Sequence, residues 1–401
     1  MTTLSPPMLT WTEDDQVRSA RWRSEHGAPL PRRVVLADDQ TSADTALRWA
    51  RDGAVLLWRG DFQNARLLLQ AMGRRLDRAP SRTSATPSTA ADVADLRTVF
   101  HHHRQAQAQR ARLLSSLVLE LSGGYGLTLR RAPDLRLACA EAYGPADDQP
   151  SVVSLRELQG VVGAHEWRKK GVAIAAAGGR VHAHYGVFSP VRGEYVDLVA
   201  EAVLPSTALA FDIGTGSGVL AAVLARRGVL RVVATDLSDR ALACAAENLQ
   251  RLGCAQQVEL VCADLFPPGR APLVVCNPPW LPGKPATAIE YALYDPDSRM
   301  LRGFLAGLAA HLTPDGEGWL ILSDLAEWLG LRSRAQLLEW IAQAGLVVMG
   351  TASIRPRHPK ALDPTDRLHA ARRAETTTLW RLAVFGESEG GVTSLNPGTG
   401  G

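Results

Sequence analysis

The chain has few of the features that mark membrane, secreted or metal-binding proteins. It contains no run that approaches the ~18 apolar residues of a membrane-spanning helix, and its polar beginning is not a signal peptide. Its five cysteines include no C-x-x-C pair, so neither a disulfide framework nor a zinc site is indicated. These absences predict a cytoplasmic protein with reduced thiols, without a membrane partner and without a metal.

Lysine is also scarce. The 44 basic residues include four lysines, and all the others are arginines. A GC-rich genome explains this bias, and selection for forked guanidinium groups that bind phosphate is the alternative explanation. The formal net charge is +3 for residues 1–150 and zero for residues 151–401. This charge is far below the basic excess of a protein that coats DNA.

The length of 401 residues is sufficient for two or three domains. Residues 1–40 are polar and interrupted by proline, which predicts a flexible arm. Residues 41–150 carry apolar residues at helical spacing and predict a small, mainly helical domain for substrate recognition. Residues 151–190 predict a linker with a β-hairpin around Gly178 and Gly179.

The second part of the chain has a different pattern. Residues 191–386 alternate between helix and strand patterns, which predicts a Rossmann-like α/β domain with helices on both faces of a mostly parallel sheet. Residues 387–401 are rich in glycine, serine and threonine and predict a disordered tail. The sequence therefore predicts a large α/β domain preceded by a smaller helical one.

A glycine-rich turn joins the first strand of the α/β region to its first helix. Asp212 precedes the segment Gly214-Thr215-Gly216-Ser217-Gly218, in which glycines permit a tight turn and the close approach of a ligand. Asp236 ends the next strand, where a carboxylate accepts hydrogen bonds from ribose hydroxyls. These two features leave NAD and S-adenosylmethionine (SAM) open as cofactors.

Two further strand ends favour SAM. Asp264 and Leu265 follow the third strand, where an acid can bind an adenine amino group. The fourth strand ends in Asn277-Pro278-Pro279-Trp280. The four motifs therefore lie at the ends of four successive predicted strands.

On these motifs, residues 187–385 resemble class I SAM-dependent methyltransferases with an N-P-P-aromatic motif (a methyltransferase small domain). The segments 236–238 and 247–249 are especially similar to glutamine methyltransferases of the HemK/PrmC type. The resemblance implies a seven-stranded methyltransferase domain with SAM as methyl donor and no metal. It implies that SAM is held by Asp212, Gly214, Thr215, Gly216, Gly218, Asp236, Leu237, Asp264, Leu265 and Asn277.

The same resemblance assigns catalysis to Asn277, Pro278, Pro279 and Trp280. A planar amino group is a poor nucleophile, so two fixed acceptors are needed to orient it and polarise its N–H bonds. In the resembled families, the Asn277 side-chain oxygen and the Pro278 carbonyl have these roles. The prolines stiffen the loop, and Trp280 is expected to stack on the target. The family's usual last residue is Tyr or Phe, from which Trp280 departs.

The acceptor of the methyl group is less clearly indicated. A linker segment that contains Pro190 and Arg192 loosely resembles the linker of the HemK-type enzymes. This likeness favours the side-chain amide of a glutamine in a protein of the translation apparatus. Pro190 and Arg192 are therefore candidate substrate-binding residues.

Two basic segments favour nucleic acid instead. Residues 62–112 carry a net charge of +6, and residues 353–376 carry +3, with Arg355 and Arg357 in the second segment. Cationic loops beside an active site can hold phosphates, so an amino group of an RNA or DNA base is the alternative acceptor. A non-catalytic SAM-binding scaffold is the second alternative.

Overall fold

The chain is built around two β-sheets, one in each half. The computed structural model describes residues 6–78, 93–191, 193–285, 290, 293–356 and 368–385. The linker between residues 79 and 91 and the disordered tail at residues 387–401, both predicted from composition, lie outside the described residues.

The first half combines a six-stranded sheet with helices. Its strands are β1 (Met8–Glu13), β2 (Gln16–Arg23), β3 (Arg33–Ala37), β4 (Ala54–Trp58), β5 (Leu117–Leu121) and β6 (Ser151–Ser154). Its helices are α1 (Ala43–Arg51), α2 (Phe62–Arg78), α3 (Val93–Leu114), α4 (Arg136–Tyr143) and α5 (Leu155–Lys170). The strand order is β1-β2-β6-β5-β4-β3. The pairs β1–β2 and β5–β6 are antiparallel, and the other pairs are parallel.

The strands of this half were not predicted from the sequence, and the prediction of a flexible arm was wrong. The flexible arm predicted for residues 1–40 contains β1, β2 and β3, and Leu9 and Trp11 alternate inward on β1. Residues 41–150, predicted to be mainly helical, contain α1 to α4 together with β4 and β5, which belong to the same sheet. All five side chains of β4 are buried, and periodicity alone cannot distinguish such a short apolar run from a buried helical segment.

Apolar side chains cover both faces of the six-stranded sheet. Leu56 of β4 is fully buried and packs in a cluster with Met72 of α2 and other helical side chains. Leu57, its neighbour in sequence, points to the opposite face and packs with Trp11 and Trp22 of the first hairpin. The alternation of side chains along a strand therefore gives this half a core on each side of its sheet.

The predicted linker begins later than expected, because residues 151–154 form β6 of the first sheet and α5 follows directly. The predicted hairpin is present as β7 (Val172–Ile174) and β8 (Gly179–Val181), which pair antiparallel. Gly178 occupies the turn with φ +72°, a left-handed conformation that favours glycine.

The second half has the seven-stranded sheet that was predicted. Its remaining elements are α6 (Glu194–Glu201), β9 (Leu209–Ile213), α7 (Val219–Arg226), β10 (Arg231–Asp236), α8 (Asp239–Arg251), β11 (Val258–Cys262), β12 (Ala271–Cys276), β13 (Leu281–Pro282), β14 (Tyr294–Asp295), α9 (Arg299–His311), β15 (Leu312–Ser323), α10 (Leu325–Trp328), α11 (Arg334–Gln343), β16 (Leu346–Ile354), α12 (His369–Ala374) and β17 (Thr377–Val384). The strand order is β11-β10-β9-β12-β15-β17-β16, and β17 alone runs antiparallel to its neighbours in this described sheet.

This strand order determines where a ligand can bind. β9 pairs in parallel with β10 on one side and with β12 on the other, so the direction of winding changes at β9. Open α/β sheets bind their ligands at such a switch point, outside the carboxyl ends of the strands. The four sequence motifs follow β9, β10, β11 and β12, so they meet at this edge.

Candidate functional site

A cavity of about 1000 Å³ opens at the carboxyl edge of the seven-stranded sheet. Of the predicted cofactor residues, the following line it: Gly214, Thr215, Gly216, Asp236, Leu237, Asp264, Leu265 and Asn277. The other three predicted catalytic residues, Pro278, Pro279 and Trp280, line it as well. The structure therefore brings the glycine-rich loop, both acids and the N-P-P-W segment to one cavity.

The glycine-rich loop and Asp236 are joined by hydrogen bonds. The backbone N–H of Gly216 donates to Asp236 Oδ2 at 3.0 Å, and that of Ser238 donates to Asp236 Oδ1 at 2.9 Å. Gly214 and Gly216 have φ of +72° and +55°. A Cβ at Gly214 would lie 2.5 Å from the Met300 side chain. The loop conformation thus depends on glycine, and it holds the carboxylate in a fixed orientation.

Asp212 and Gly218 lie behind the cavity wall. Asp212 is 1% exposed, and its Oδ2 accepts hydrogen bonds from Thr215 Oγ1 at 2.7 Å and from the Ala221 N–H at 3.1 Å. Burial raises the pKa of Asp212 to about 6. A Cβ at Gly218 would lie 3.1 Å from Ala245 of α8. These two residues shape the loop and its helix from beneath.

The turn after β11 presents Asp264 and Leu265 to the cavity. Leu265 has φ +78°, a conformation that bulky residues rarely adopt. The turn is held by Thr235, whose Oγ1 donates to the Leu265 carbonyl at 2.5 Å. Asp264 Oδ2 accepts from Arg299 Nη2 at 2.7 Å, and both side chains of this pair are exposed.

Asn277 follows β12, the central strand between β9 and β15. Trp280 Nε1 donates a hydrogen bond to Asn277 Oδ1 at 2.9 Å. Because the indole N–H only donates, this contact fixes which end of the Asn277 amide carries the oxygen. An amide oxygen has two lone pairs, so Asn277 retains acceptor capacity for an N–H group in the cavity.

A family model matches this part of the chain. Residues 178–327 match the methyltransferase small domain family. With this match and the order of the seven strands, the class I methyltransferase fold predicted from the motifs is confirmed.

Curated relatives match the same region. A release factor glutamine methyltransferase from Cereibacter sphaeroides is 35% identical over 195 residues, covering 45% of this chain and 65% of that protein. Its counterpart from Mycobacterium tuberculosis is 31% identical over 181 residues, with coverage of 41% and 51%. A tRNA1(Val) (adenine(37)-N6)-methyltransferase from Bacteroides fragilis is 30% identical over 150 residues, with coverage of 33% and 63%. Each match spans less than two thirds of the relative's length.

The predicted substrate residues are not gathered at the cavity of the methyltransferase small domain. Pro190 is buried but is not part of the cavity wall. Arg355 is exposed just beyond β16 and is also not part of that wall. Arg192 and Arg357 lie outside the described residues. The assignment of these four residues to substrate binding therefore remains a prediction.

Several wall residues were not predicted individually. They are Glu25, Arg240, Tyr294, Arg299, Arg372 and Glu375. Glu375 is fully buried, and its Oε1 accepts from Ser323 Oγ at 2.7 Å at the ends of the neighbouring strands β15 and β17. Glu25 comes from the first half of the chain. The sequence gives a hint for Arg240, which lies four residues after Asp236, and for Arg372 and Glu375, which lie in the predicted basic segment 353–376.

Helix α3 of the first half supports the segment after the N-P-P-W motif. The Arg104 guanidinium lies 4.0 Å from the ring centre of Tyr294, a cation–π contact. Arg104 also pairs with Glu290 at 3.0 Å and donates to the Lys284 carbonyl at 2.8 Å. One turn earlier, Phe100 is buried against Leu329 and other apolar residues of the second half. The first half thus buttresses one end of the cavity.

Within the described ranges, no group of three or more His, Cys, Asp or Glu side chains is placed to hold a metal ion. None of the helices that the structure describes is long and apolar enough to cross a membrane. That the methyltransferase small domain works without a metal stays a prediction.

Proposed function

We propose that the chain is a SAM-dependent N-methyltransferase that transfers a methyl group to a planar amino nitrogen. The observation that carries this proposal is that Asn277 and Pro278 share one cavity wall with Asp236 and the glycine-rich loop. The preferred acceptor is the side-chain amide of a glutamine in a cytoplasmic protein of the translation apparatus. This preference rests on the similarity to release factor glutamine methyltransferases.

The side chains of the wall fit SAM. The Asp236 carboxylate is held by the Gly216 and Ser238 N–H groups, so its orientation toward the ribose hydroxyls is set in advance. Leu237 is 63% exposed and lines the cavity, where it offers an apolar surface to the adenine ring. Asp264 is the acceptor for the adenine amino group, and its pairing with Arg299 keeps it in place.

The chemistry required of the protein is orientation of the acceptor. When bound, SAM supplies a methyl group that its sulfonium charge activates. The acceptor nitrogen uses its lone pair to form the new N–C bond, while the electron pair of the broken C–S bond remains on sulfur. Asn277 Oδ1 and the Pro278 carbonyl each accept one N–H of the acceptor, which aligns its lone pair with the methyl carbon. One of these protons then leaves to solvent.

A base amino group of RNA or DNA is the second candidate acceptor. The similarity to a tRNA adenine methyltransferase favours it. An exocyclic amino group of a base is planar and carries two N–H bonds, so it fits the same pair of acceptors. Trp280 can stack on either an amide or a base.

The experiment that separates these acceptors uses methyl-labelled SAM and a lysate from a strain that lacks the protein. We expect labelled macromolecules that protease destroys and RNase and DNase leave intact, with label on N-methylglutamine after enzymatic digestion to amino acids. The Asn277→Ala variant is the matched control and is expected to transfer no label. Nuclease-sensitive label would contradict the preferred acceptor, and SAM binding without any transfer would favour the scaffold alternative.

A further inference from the structure

Arg240 occupies an unusual position beside the cavity. It lies in the first turn of α8, four residues after Asp236, and both side chains line the cavity. A cation in the first turn of a helix is disfavoured by the positive end of the helix dipole. We therefore expect Arg240 to be attracted to a carboxylate within its reach. Asp236, on the same cavity wall, carries such a carboxylate.

The first half of the chain holds Arg240 through two acceptors. Arg240 Nη2 donates to Glu25 Oε2 at 3.1 Å and to the Ala142 carbonyl at 2.9 Å. Its guanidinium carbon also lies 5.7 Å from the ring centre of Tyr185. Among the described contacts there is no ion pair between Arg240 and Asp236. Asp236 instead accepts the two backbone N–H groups of its own site.

Glu25 is itself held in position. Its backbone N–H donates to the two carboxylate oxygens of Glu157 at 3.3 and 3.4 Å. Glu157 is 5% exposed and also accepts from Tyr143 Oη at 2.9 Å. The backbone of Glu25 is thereby tied to a buried carboxylate of α5. The pair between Glu25 and Arg240 thus rests on a supported turn.

We propose that Glu25 and the Ala142 carbonyl keep Arg240 away from Asp236, which leaves the Asp236 carboxylate open to the ribose of SAM. Glu25 is then a positioning residue that acts through Arg240. This inference rests on the proposed SAM-binding function. It gives the first half of the chain a part in cofactor binding that is separate from substrate recognition.

The test measures SAM affinity by calorimetry for Glu25→Ala, Arg240→Gln and the double variant in the full chain. Glu25→Ala should weaken binding by about tenfold, because Arg240 then turns to Asp236 and competes with the ribose. Adding Arg240→Gln to Glu25→Ala should restore most of the affinity, because the competing cation is gone. Arg240→Gln alone should bind SAM more tightly than Glu25→Ala.

The control is Arg251→Gln. Arg251 lies on the same helix as Arg240 but outside the cavity wall, and the substitution removes its hydrogen bond to Glu247. The affinity for SAM should therefore remain unchanged. Unfolding midpoints are measured on the same samples. If Glu25 only held the two halves together, the double variant would bind SAM at least as weakly as Glu25→Ala. That result would overturn the proposal. Unaltered binding by Glu25→Ala would overturn it too. If the wild-type chain bound no SAM, that result would instead contradict the proposed function itself.

Discussion

The two halves of the chain contribute to the cavity by different means. In the second half, neighbouring parallel strands end at one edge, and the residue that follows each of β9, β10, β11 and β12 faces the cavity. In the first half, the turn at Glu25 and helix α3 with Arg104 lie far apart in sequence and reach the site by docking. One half therefore supplies the groups that face the ligands, and the other holds these groups in place.

Because of this difference, we expect the two halves to respond to substitution in distinct ways. A change at a strand end of the second half should affect binding or transfer while the fold persists. A change inside the first sheet should lower the free energy of unfolding and affect the site only through Arg240 or Tyr294.

The largest effect is expected for Asn277→Ala. Loss of the acceptor that orients the target nitrogen should lower the rate of methyl transfer by about 1000-fold, or roughly 4 kcal/mol. SAM affinity should change by less than about threefold, because Asn277 lies at the acceptor end of the site. Rates with labelled SAM and calorimetry on the same samples measure both quantities. Full activity in this variant would refute the assigned role of Asn277.

The first sheet is tested by Leu56→Ala. Leu56 is fully buried between β4 and its helices, so its truncation should lower the free energy of unfolding by about 3 kcal/mol. Leu67→Ala on α2 is the control, because Leu67 is 58% exposed and its truncation should cost less than about 0.5 kcal/mol. Equal costs in urea unfolding would mean that the first half lacks the packed sheet core described above.

A pH-dependent effect is expected for Glu157→Gln. Burial raises the pKa of Glu157 from 4.5 to about 6. Between these two pH values the Glu157 carboxyl group keeps its proton in the folded chain and loses it in the unfolded chain. Wild-type stability therefore falls as pH rises from 4.5 to 6. The variant avoids this loss and should be more stable than wild type by up to about 2 kcal/mol at pH 7.

At pH 4 the stability difference between Glu157→Gln and wild type should disappear, because the carboxyl group is protonated in both states. Urea unfolding at several pH values measures the difference. Glu166→Gln, at an exposed position on the same helix, should show no such dependence. A stability difference between Glu157→Gln and wild type that is the same at every pH would show that burial does not raise the pKa of Glu157.

The smallest effect is expected for Trp280→Phe, which keeps a ring but removes the hydrogen bond to Asn277 Oδ1. Freedom of the Asn277 amide to rotate should lower kcat about fivefold, or about 1 kcal/mol. The affinity for SAM should not change. Trp167→Phe, at an exposed position on α5, serves as the control. An unaltered kcat would show that the indole N–H does not orient Asn277.

The second half could be predicted from sequence because its signals are local. Each motif lies within a few residues of a strand end, and parallel topology brings those ends together without further information. Local pattern was insufficient for Asp212 and Gly218, which belong to the motif but lie behind the wall. Whether a motif residue faces a ligand or supports the loop depends on packing beneath it.

The first half could not be predicted in the same way. Its strands are short, and β4 is an unbroken apolar run that lacks the alternation of a half-exposed strand. Glu25 reaches the cavity wall, and Arg104 reaches the wall residue Tyr294, only because two separately packed halves dock. No spacing in the sequence encodes that contact, so pattern analysis had no signal for it.

The position of β6 has a consequence for the synthesis of the chain. β6 lies between β2 and β5 in the first sheet, yet it begins at Ser151, long after β2 ends at Arg23. At the ribosomal rate of ~5–20 residues per second, the hairpin of β1 and β2 waits on the order of ten seconds for its neighbour. During this interval one edge of β2 is unpaired, which leaves its backbone N–H and C=O groups open to pairing with other strands.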